Sequence, residues 1–274
     1  MDIIEELKKY NILGRSGSRF PAALKWQMVK DAKAEKKYIV CNASEGEPKN
    51  KKDQYILENS PEYVVEGIKA ALGAIPKSSA FIYLKKDYFD KFAPKLEKLS
   101  QESNIKVVKK TGGYLAGEET VICEVLEGKK PEPRIKPPFP TQVGLWGWPT
   151  LVNNVETFYC AGKISKGEYE NERFYTISGE VKNPGVFKLL KDETIKKILE
   201  KTDNYPDFDF FVQSGGGAMG EILLPDELDK PVEEIGCIVV FDRAKTEPLK
   251  LMKEWATFFL EENCDKCTPC REGI

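Results

Sequence analysis

The chain has 274 residues, of which 41% are hydrophobic and 31% are charged, with a formal net charge of −2 and no histidine. This composition is typical of a globular protein with a sizeable core and gives no reason to expect nucleic acid as a partner. The lack of histidine excludes His-based triads and His metal ligands. Without an apolar run of membrane-spanning length or an apolar signal core, we expect a cytoplasmic protein with no direct membrane insertion.

The first half of the chain alternates short apolar runs with helical stretches. Such alternation is typical of an α/β fold with a partly parallel sheet. The predicted strands are 37–41, 80–84 and 105–108, and the predicted helices are 1–10, 22–32, 64–72, 90–100 and 121–126.

The second half begins with a segment rich in Gly and Pro, 128–150, and a stretch that looks helical, 153–162. From Arg173 the pattern indicates a small β-rich domain with one helix. Its predicted strands are 174–178, 185–189, 208–212 and 236–241, its helix is 194–201, and a further helix at 247–262 leads to a cysteine cluster.

That cluster has the spacing C-x2-C-x2-C, formed by Cys264, Cys267 and Cys270. Three closely spaced thiolates in a cytosolic chain indicate metal binding, and an iron–sulfur cluster would need a fourth ligand. No candidate follows before Ile274, so we expect a loop that is mobile or unmetallated in this chain. The other cysteines sit in apolar surroundings, as buried thiols do: Cys41, Cys123, Cys160 and Cys237.

Two loops are candidates for ligand binding. The first, 14–21, has glycines that would let backbone amides approach a phosphate ahead of a helix N-terminus, although a surface turn would look the same. The second, 42–48, follows a predicted strand directly, where α/β proteins place ligands. Its carboxylates, Glu45 and Glu47, fit either a pocket or a solvated acidic turn.

Three further segments carry polar groups in distinctive surroundings. Gly112–Thr120 approaches a helix through glycines, and its Glu118 and Glu119 also suit the helix dipole without any ligand. Arg134–Pro140 is a stiff, extended segment that displays a cation and an aromatic ring. Asn153–Thr157 begins with two amides at a predicted helix start, which fits anion binding or an ordinary N-cap.

In this order, the five segments and Cys267–Gly273 resemble one family, the NADH-binding 51 kDa flavoprotein subunit of respiratory complex I and the related diaphorase subunits of hydrogenases and formate dehydrogenases. The resemblance covers the chain from Gly14 to Gly273. It implies FMN and NADH as cofactors, hydride transfer from NADH to FMN, and electron transfer to a [4Fe–4S] cluster. The implied partners are a thioredoxin-like [2Fe–2S] subunit and further iron–sulfur subunits.

The resemblance also implies a division of the chain into three parts. A Rossmann-like FMN/NADH domain would span 1–170, and a small β-grasp domain of the SLBB-like type would span 171–243. Residues 244–274 would be the start of a C-terminal helical bundle that carries the incomplete cysteine loop.

Site residues follow from the resemblance position by position. Phe20 and Phe139 would sandwich the adenine, and Glu119 would bind the ribose hydroxyls and repel a 2′-phosphate. Glu47, which would tune the flavin, and Tyr114, which would pack against its ring, are the expected catalytic residues. The other expected cofactor-binding residues are Gly14, Arg15, Gly17, Lys25, Asn42, Glu45, Gly117, Glu118, Lys136, Val152, Asn153, Asn154 and Thr157.

The sequence departs from the family pattern at the cofactor loops. Ser16, Ser18 and Arg19 stand where the family has Gly, Ala and Gly, and Ser44 replaces an acidic residue. Glycine is used where the backbone contacts a ligand or takes positive φ. Two alternatives therefore stay open: a binding or assembly protein that keeps the fold without full redox activity, and a metal scaffold built on the three cysteines.

Overall fold

The computed structural model describes residues 2–232 and 235–273. The chain forms two compact units: Met1–Glu45 with Asp53–Tyr169, and Gly46–Lys52 with Glu170–Ile274. In the described part of the chain, no helix is both long and apolar enough to cross a membrane.

The first unit is built on a four-stranded sheet in which all neighbours are parallel, in the order β3-β2-β1-β4. Strands β1 and β2 are almost entirely buried, as expected for a parallel sheet covered by helices. This confirms the predicted α/β fold with a parallel sheet. The strands are β1 (Lys37–Ala43), β2 (Ser78–Leu84), β3 (Ile105–Lys109) and β4 (Thr150–Asn154).

Strand β4 was not predicted, because its last residues run into the next helix without a turn. Asn153 and Asn154, expected inside a helix, are the final residues of this strand. The chain passes from β1 to β2 to β3 in one direction and then places β4 on the other side of β1. The strand order therefore reverses between β1 and β4, and such a switch point leaves a crevice at the carboxyl ends of the strands.

Helix α3 was also missed, because its sequence is polar and lacks an apolar stripe. Helices α4 and α7 are in backbone contact: a Cβ added to Gly162 would lie 1.9 Å from the Tyr63 carbonyl oxygen. The helices of this half are α1 (Ile3–Lys9), α2 (Ala22–Asp31), α3 (Lys52–Asn59), α4 (Pro61–Ala74), α5 (Lys86–Ser100), α6 (Glu119–Leu126) and α7 (Val155–Ser165).

The second unit contains a five-stranded mixed sheet in the order β6-β5-β9-β7-β8, in which only β5 and β9 pair in parallel. Helix α8 contributes Ile195, Ile198 and Leu199 to the core against this sheet. Strand β8 and helix α10 were not predicted. The elements are β5 (Glu172–Gly179), β6 (Gly185–Leu190), α8 (Ile195–Lys201), β7 (Phe210–Ser214), β8 (Glu221–Leu223), β9 (Cys237–Asp242), α9 (Pro248–Glu261) and α10 (Thr268–Gly273).

Candidate functional site

The first unit contains a cavity of about 570 Å³ at the carboxyl ends of β1 and β4, where the strand order reverses. Its volume lies in the range of about 300–1,000 Å³ that small-molecule sites occupy. It is lined by Gly14, Ser16, Ser18, Phe20, Lys25, Met28, Asn42, Gly117, Glu118, Glu119, Lys136, Phe139, Thr141, Val152, Asn153 and Asn154.

The ends of β1 and β4 bring three asparagines together. Asn42 pairs with Asn154 across the two strands, and Cys41 pairs with Asn153. The indole N–H of Trp26 donates to the Asn153 Oδ1 at 2.9 Å, within the buried core. With that oxygen engaged, the amide NH2 group is what Asn153 can offer to a ligand in the cavity.

Asn154 is the N-cap of α7, because its Oδ1 accepts the backbone N–H of Glu156 at 3.0 Å. Its Nδ2 donates to Asp53 Oδ2 at 2.6 Å. The N-cap interpretation of the asparagine pair is thus confirmed for Asn154. This cap fixes the start of α7, an 11-residue helix whose positive end lies beside the cavity.

A 3-10 turn, Tyr114–Gly117, leads into α6 on another wall of the cavity. Asn42 Nδ2 donates to the Gly117 carbonyl at 2.9 Å and so ties this turn to the end of β1. The Glu118 carboxylate then caps α6 by accepting the backbone N–H groups of Thr120 at 2.8 Å and Val121 at 3.1 Å.

Both carboxylates of this wall carry a lysine partner. Lys25 Nζ lies 2.7 Å from Glu119 Oε2, and Lys136 Nζ lies 3.0 Å from Glu118 Oε1. Burial by itself raises the pKa of Glu118, but hydrogen bonds from Thr120, Lys136 and the α6 backbone together hold that pKa below its usual value. The wall therefore combines anionic acceptors with cationic donors and carries little net charge.

The loop from Gly14 to Phe20 closes on itself. The Gly14 N–H donates to the Phe20 carbonyl at 2.9 Å, and Leu13 forms a β-bridge with Pro21. Ser16 and Ser18 line the cavity, and Arg19 takes a positive φ of 49°, a conformation that favours glycine. The family's glycine geometry is thus kept at position 19 by a residue with a side chain.

Arg15 points away from solvent and forms an ion pair inside the first unit. Its Nε lies 3.8 Å from Glu156 Oε1, and the two side chains are 7% and 1% exposed. This pair joins the loop to the first turn of α7. Sequence reasoning did not identify Glu156, whose acidic position in a first helical turn looked ordinary.

The segment after α6 is anchored by Arg134. The guanidinium donates to the Gly144 carbonyl at 2.8 Å and to Glu127 Oε1 at 2.7 Å, so this cation is held by the fold. Lys136 and Phe139 then line the cavity. Phe139 is 47% exposed and Phe20 is 39% exposed, so both rings present apolar surface.

Glu45 and Glu47 do not line the cavity. Glu45 accepts the backbone N–H groups of Asp53 and Gln54 at the start of α3, and the hydroxyl of Tyr88 at 2.6 Å. Glu47 belongs to the second unit, where its carboxylate accepts the N–H of Ala218 at 2.8 Å. Arg15, Gly17, Tyr114 and Thr157 are likewise absent from the lining.

Met28 and Thr141 line the cavity and were missed by sequence reasoning. Met28 follows Lys25 by one helical turn on α2, so helical spacing alone would have placed it on the same face. Thr141 carries no such signal, because it lies in irregular chain directly after the Pro-rich segment.

The three clustered cysteines lie in the loop before α10 and in α10 itself, with Cys267 exposed and Cys264 and Cys270 partly exposed. Across residues 2–232 and 235–273, no three metal-ligating side chains are grouped closely enough to hold an ion. The structure therefore does not bring these thiols together as a metal centre.

Two family models match the sequence. The model described as the Nuo51 FMN-binding domain matches residues 7–162, and the model described as the NADH-ubiquinone oxidoreductase-F iron-sulfur binding region matches residues 250–274.

Curated relatives and solved structures agree with these matches. The chain is 31% identical to one of the F-type subunits of NADH-quinone oxidoreductase from Rhizobium meliloti, over all of this chain and 74% of that protein. It is 30% identical to the alpha subunit of the NAD-reducing hydrogenase HoxS from Cupriavidus necator, over 99% of this chain and 50% of that one. A crystal structure of an NAD+-reducing [NiFe]-hydrogenase matches with a TM-score of 0.91 and 29% identity, over 99% of this chain and 51% of that chain. The chain thus spans about half the length of the hydrogenase chains.

Proposed function

The chain belongs to the family defined by the Nuo51 FMN-binding domain, and we propose that it is an FMN-dependent NADH:acceptor oxidoreductase (diaphorase) module of a larger redox complex. The observation that carries this proposal is the cavity at the β1/β4 switch point. It gathers most of the residues that the family resemblance assigns to cofactor binding, although they come from distant segments of the chain.

The residues of the cavity fit a flavin nucleotide. The donors are the Lys25 and Lys136 ammonium groups, the Asn153 amide and the start of α7, which suit a phosphate and carbonyl oxygens. At Gly117, an added Cβ would lie 2.6 Å from Ser44 Oγ, so this backbone leaves room that no larger residue could share. When bound, FMN supplies the chemistry of accepting a hydride from NADH and releasing electrons singly.

The protein's own part is to position and to shield. Phe20 and Phe139 would stack on the adenine, Tyr114 would support the flavin ring, and Asn42 would hold the turn that borders it. Gly14, Arg15, Gly17, Val152 and Thr157 would complete the flavin site from the loop and from β4–α7. For Glu45 and Glu47, roles at the flavin stay predictions that require contacts other than those described above.

The first experiment asks whether the purified chain binds FMN. We expect the absorption of bound flavin, or saturable uptake of added FMN with quenching of its fluorescence. A colourless protein that takes up no FMN would contradict the proposed function. A matched variant, Asn153→Leu, removes a donor that lines the cavity, and it should bind FMN about tenfold more weakly.

Glu119→Gln is expected to raise the use of NADPH relative to NADH by about tenfold, because the charge that repels a 2′-phosphate is removed. The measurement is the ratio of kcat/KM for the two nucleotides with an artificial electron acceptor. Glu97→Gln, an exposed carboxylate on α5, controls for the change in net charge. Equal discrimination in wild type and Glu119→Gln would mean that the ribose contact is wrongly assigned.

We also propose the finer organisation implied by the family: an FMN/NADH domain over 1–170, a β-grasp domain of the SLBB-like type over 171–243, and the start of a helical bundle over 244–274. Cys264, Cys267 and Cys270 would ligate part of a [4Fe–4S] cluster, as the match over 250–274 supports. A thioredoxin-like [2Fe–2S] subunit and further iron–sulfur subunits would be the partners, in the cytoplasm.

A second function, binding or assembly without full redox activity, is favoured by one observation. Glu47, the expected catalytic carboxylate, accepts the Ala218 and Met219 amides, and a Cβ at Gly216 would lie 2.2 Å from its Oε1. Under this alternative the chain would bind FMN or NADH but would not turn over NADH. Reduction of bound flavin by NADH under anaerobic conditions would decide against it.

A further inference from the structure

Asp53 is a buried carboxylate at the start of α3, only 1% exposed, and nothing above gives it a function. Its Oδ2 accepts Asn154 Nδ2 at 2.6 Å. We propose that Asp53 is a positioning residue for the phosphate end of the flavin site, which it serves by fixing the Asn154 amide. This inference rests on the proposed function, because it concerns the same cavity.

The orientation of the Asn154 amide follows from its two neighbours. Nδ2 donates to Asp53 and, at 3.5 Å, to the Asn42 carbonyl, while Oδ1 accepts the Glu156 N–H at 3.0 Å. A flipped amide would set its NH2 group against the helix N–H and its oxygen against the Asp53 acceptor. Asp53 therefore selects the one orientation in which Asn154 caps α7.

Asp53 is itself held in place by Glu45. Glu45 Oε1 accepts the Asp53 N–H at 2.9 Å, and Glu45 Oε2 accepts the Tyr88 hydroxyl at 2.6 Å. Burial and the neighbouring Glu45 raise the pKa of Tyr88, so its hydroxyl stays protonated and remains a donor. Tyr88, Glu45 and Asp53 thus form a continuous chain of contacts that ends at Asn154, which explains why Glu45 is directed to α3.

The consequence should be confined to the anionic end of the ligand. Asn153 and Asn154 line the cavity, and α7 begins at the next residue, so its positive end faces that wall. A helix start attracts a phosphate and has little effect on a neutral ring. FMN carries the phosphate, whereas riboflavin has the same ring system without it. The two flavins therefore separate positioning of the phosphate site from general damage.

The experiment measures Kd for FMN and for riboflavin by flavin fluorescence. Asp53→Ser keeps a small polar residue that suits a helix start, but its side chain is too short to reach Asn154. We expect this variant to lose about tenfold in FMN affinity and less than twofold in riboflavin affinity. Asp53→Asn retains one carbonyl oxygen that can accept the same hydrogen bond, so it should recover FMN affinity to within about threefold of wild type.

The matched control is Asp87→Ser, since α5 also begins with Lys-Asp but Asp87 is exposed. It should leave both affinities unchanged. Equal losses for FMN and riboflavin in Asp53→Ser, no loss for either, or tighter FMN binding would each overturn the positioning role. Wild-type protein that binds neither flavin would instead overturn the proposed function, and the inference with it.

Discussion

Gly162→Ala is expected to lower the free energy of unfolding by about 3 kcal/mol, because the added methyl group has no room between α7 and α4. The Cβ would lie 1.9 Å from the Tyr63 carbonyl oxygen and 3.1 Å from the Gly67 nitrogen. Both contacts are with backbone, which cannot rotate away as a side chain can. The two helices must therefore separate, and the measurement is urea unfolding followed by circular dichroism.

Gly73→Ala is the matched control on α4. Nothing lies within 4 Å of a Cβ at Gly73, so this change should stabilise the protein by about 0.5–1 kcal/mol through the better helix propensity of alanine. Opposite signs for the two variants are the expected result. A loss below about 1 kcal/mol for Gly162→Ala would show that α4 and α7 are not packed as closely as described.

That helix contact illustrates what a single sequence cannot supply. Gly67 and Gly162 each look like an ordinary helix-weakening residue, and their meaning appears only when distant segments of the chain meet. By contrast, strands β1, β2 and β3 were predictable, because their apolar runs report burial on both faces directly.

The cavity shows the same division. Family motifs identified Lys25, Glu119 and Phe139 in advance, since their neighbours in sequence form distinctive patterns. Strand β4 and its place beside β1 were not predictable, because Asn153 and Asn154 carry the polar signal of a helix start while pairing as strand residues. The direction of Glu45 toward α3 likewise depends on a helix that has no apolar stripe.

Arg15→Met is expected to destabilise the first unit by about 3 kcal/mol, because it removes a cation from beside a buried carboxylate. Glu156 is 1% exposed and lies 3.8 Å from the Arg15 guanidinium, so water cannot readily take over the lost charge partner. Methionine keeps the length and the apolar stem of arginine, which limits the loss of packing. The free energy of unfolding from urea titration gives the size of the effect.

The double variant Arg15→Met/Glu156→Leu separates the structural role of the pair from its role in binding. Replacing both members of a buried ion pair by apolar groups is often neutral for stability, so the double variant should be more stable than Arg15→Met alone. FMN affinity should nevertheless stay about tenfold below wild type, since the guanidinium of the loop is gone in both proteins. Recovery of stability together with full FMN affinity would show that Arg15 supports the fold but takes no part in holding the flavin. A double variant no more stable than Arg15→Met would instead mean that Glu156 is not the partner whose charge Arg15 compensates.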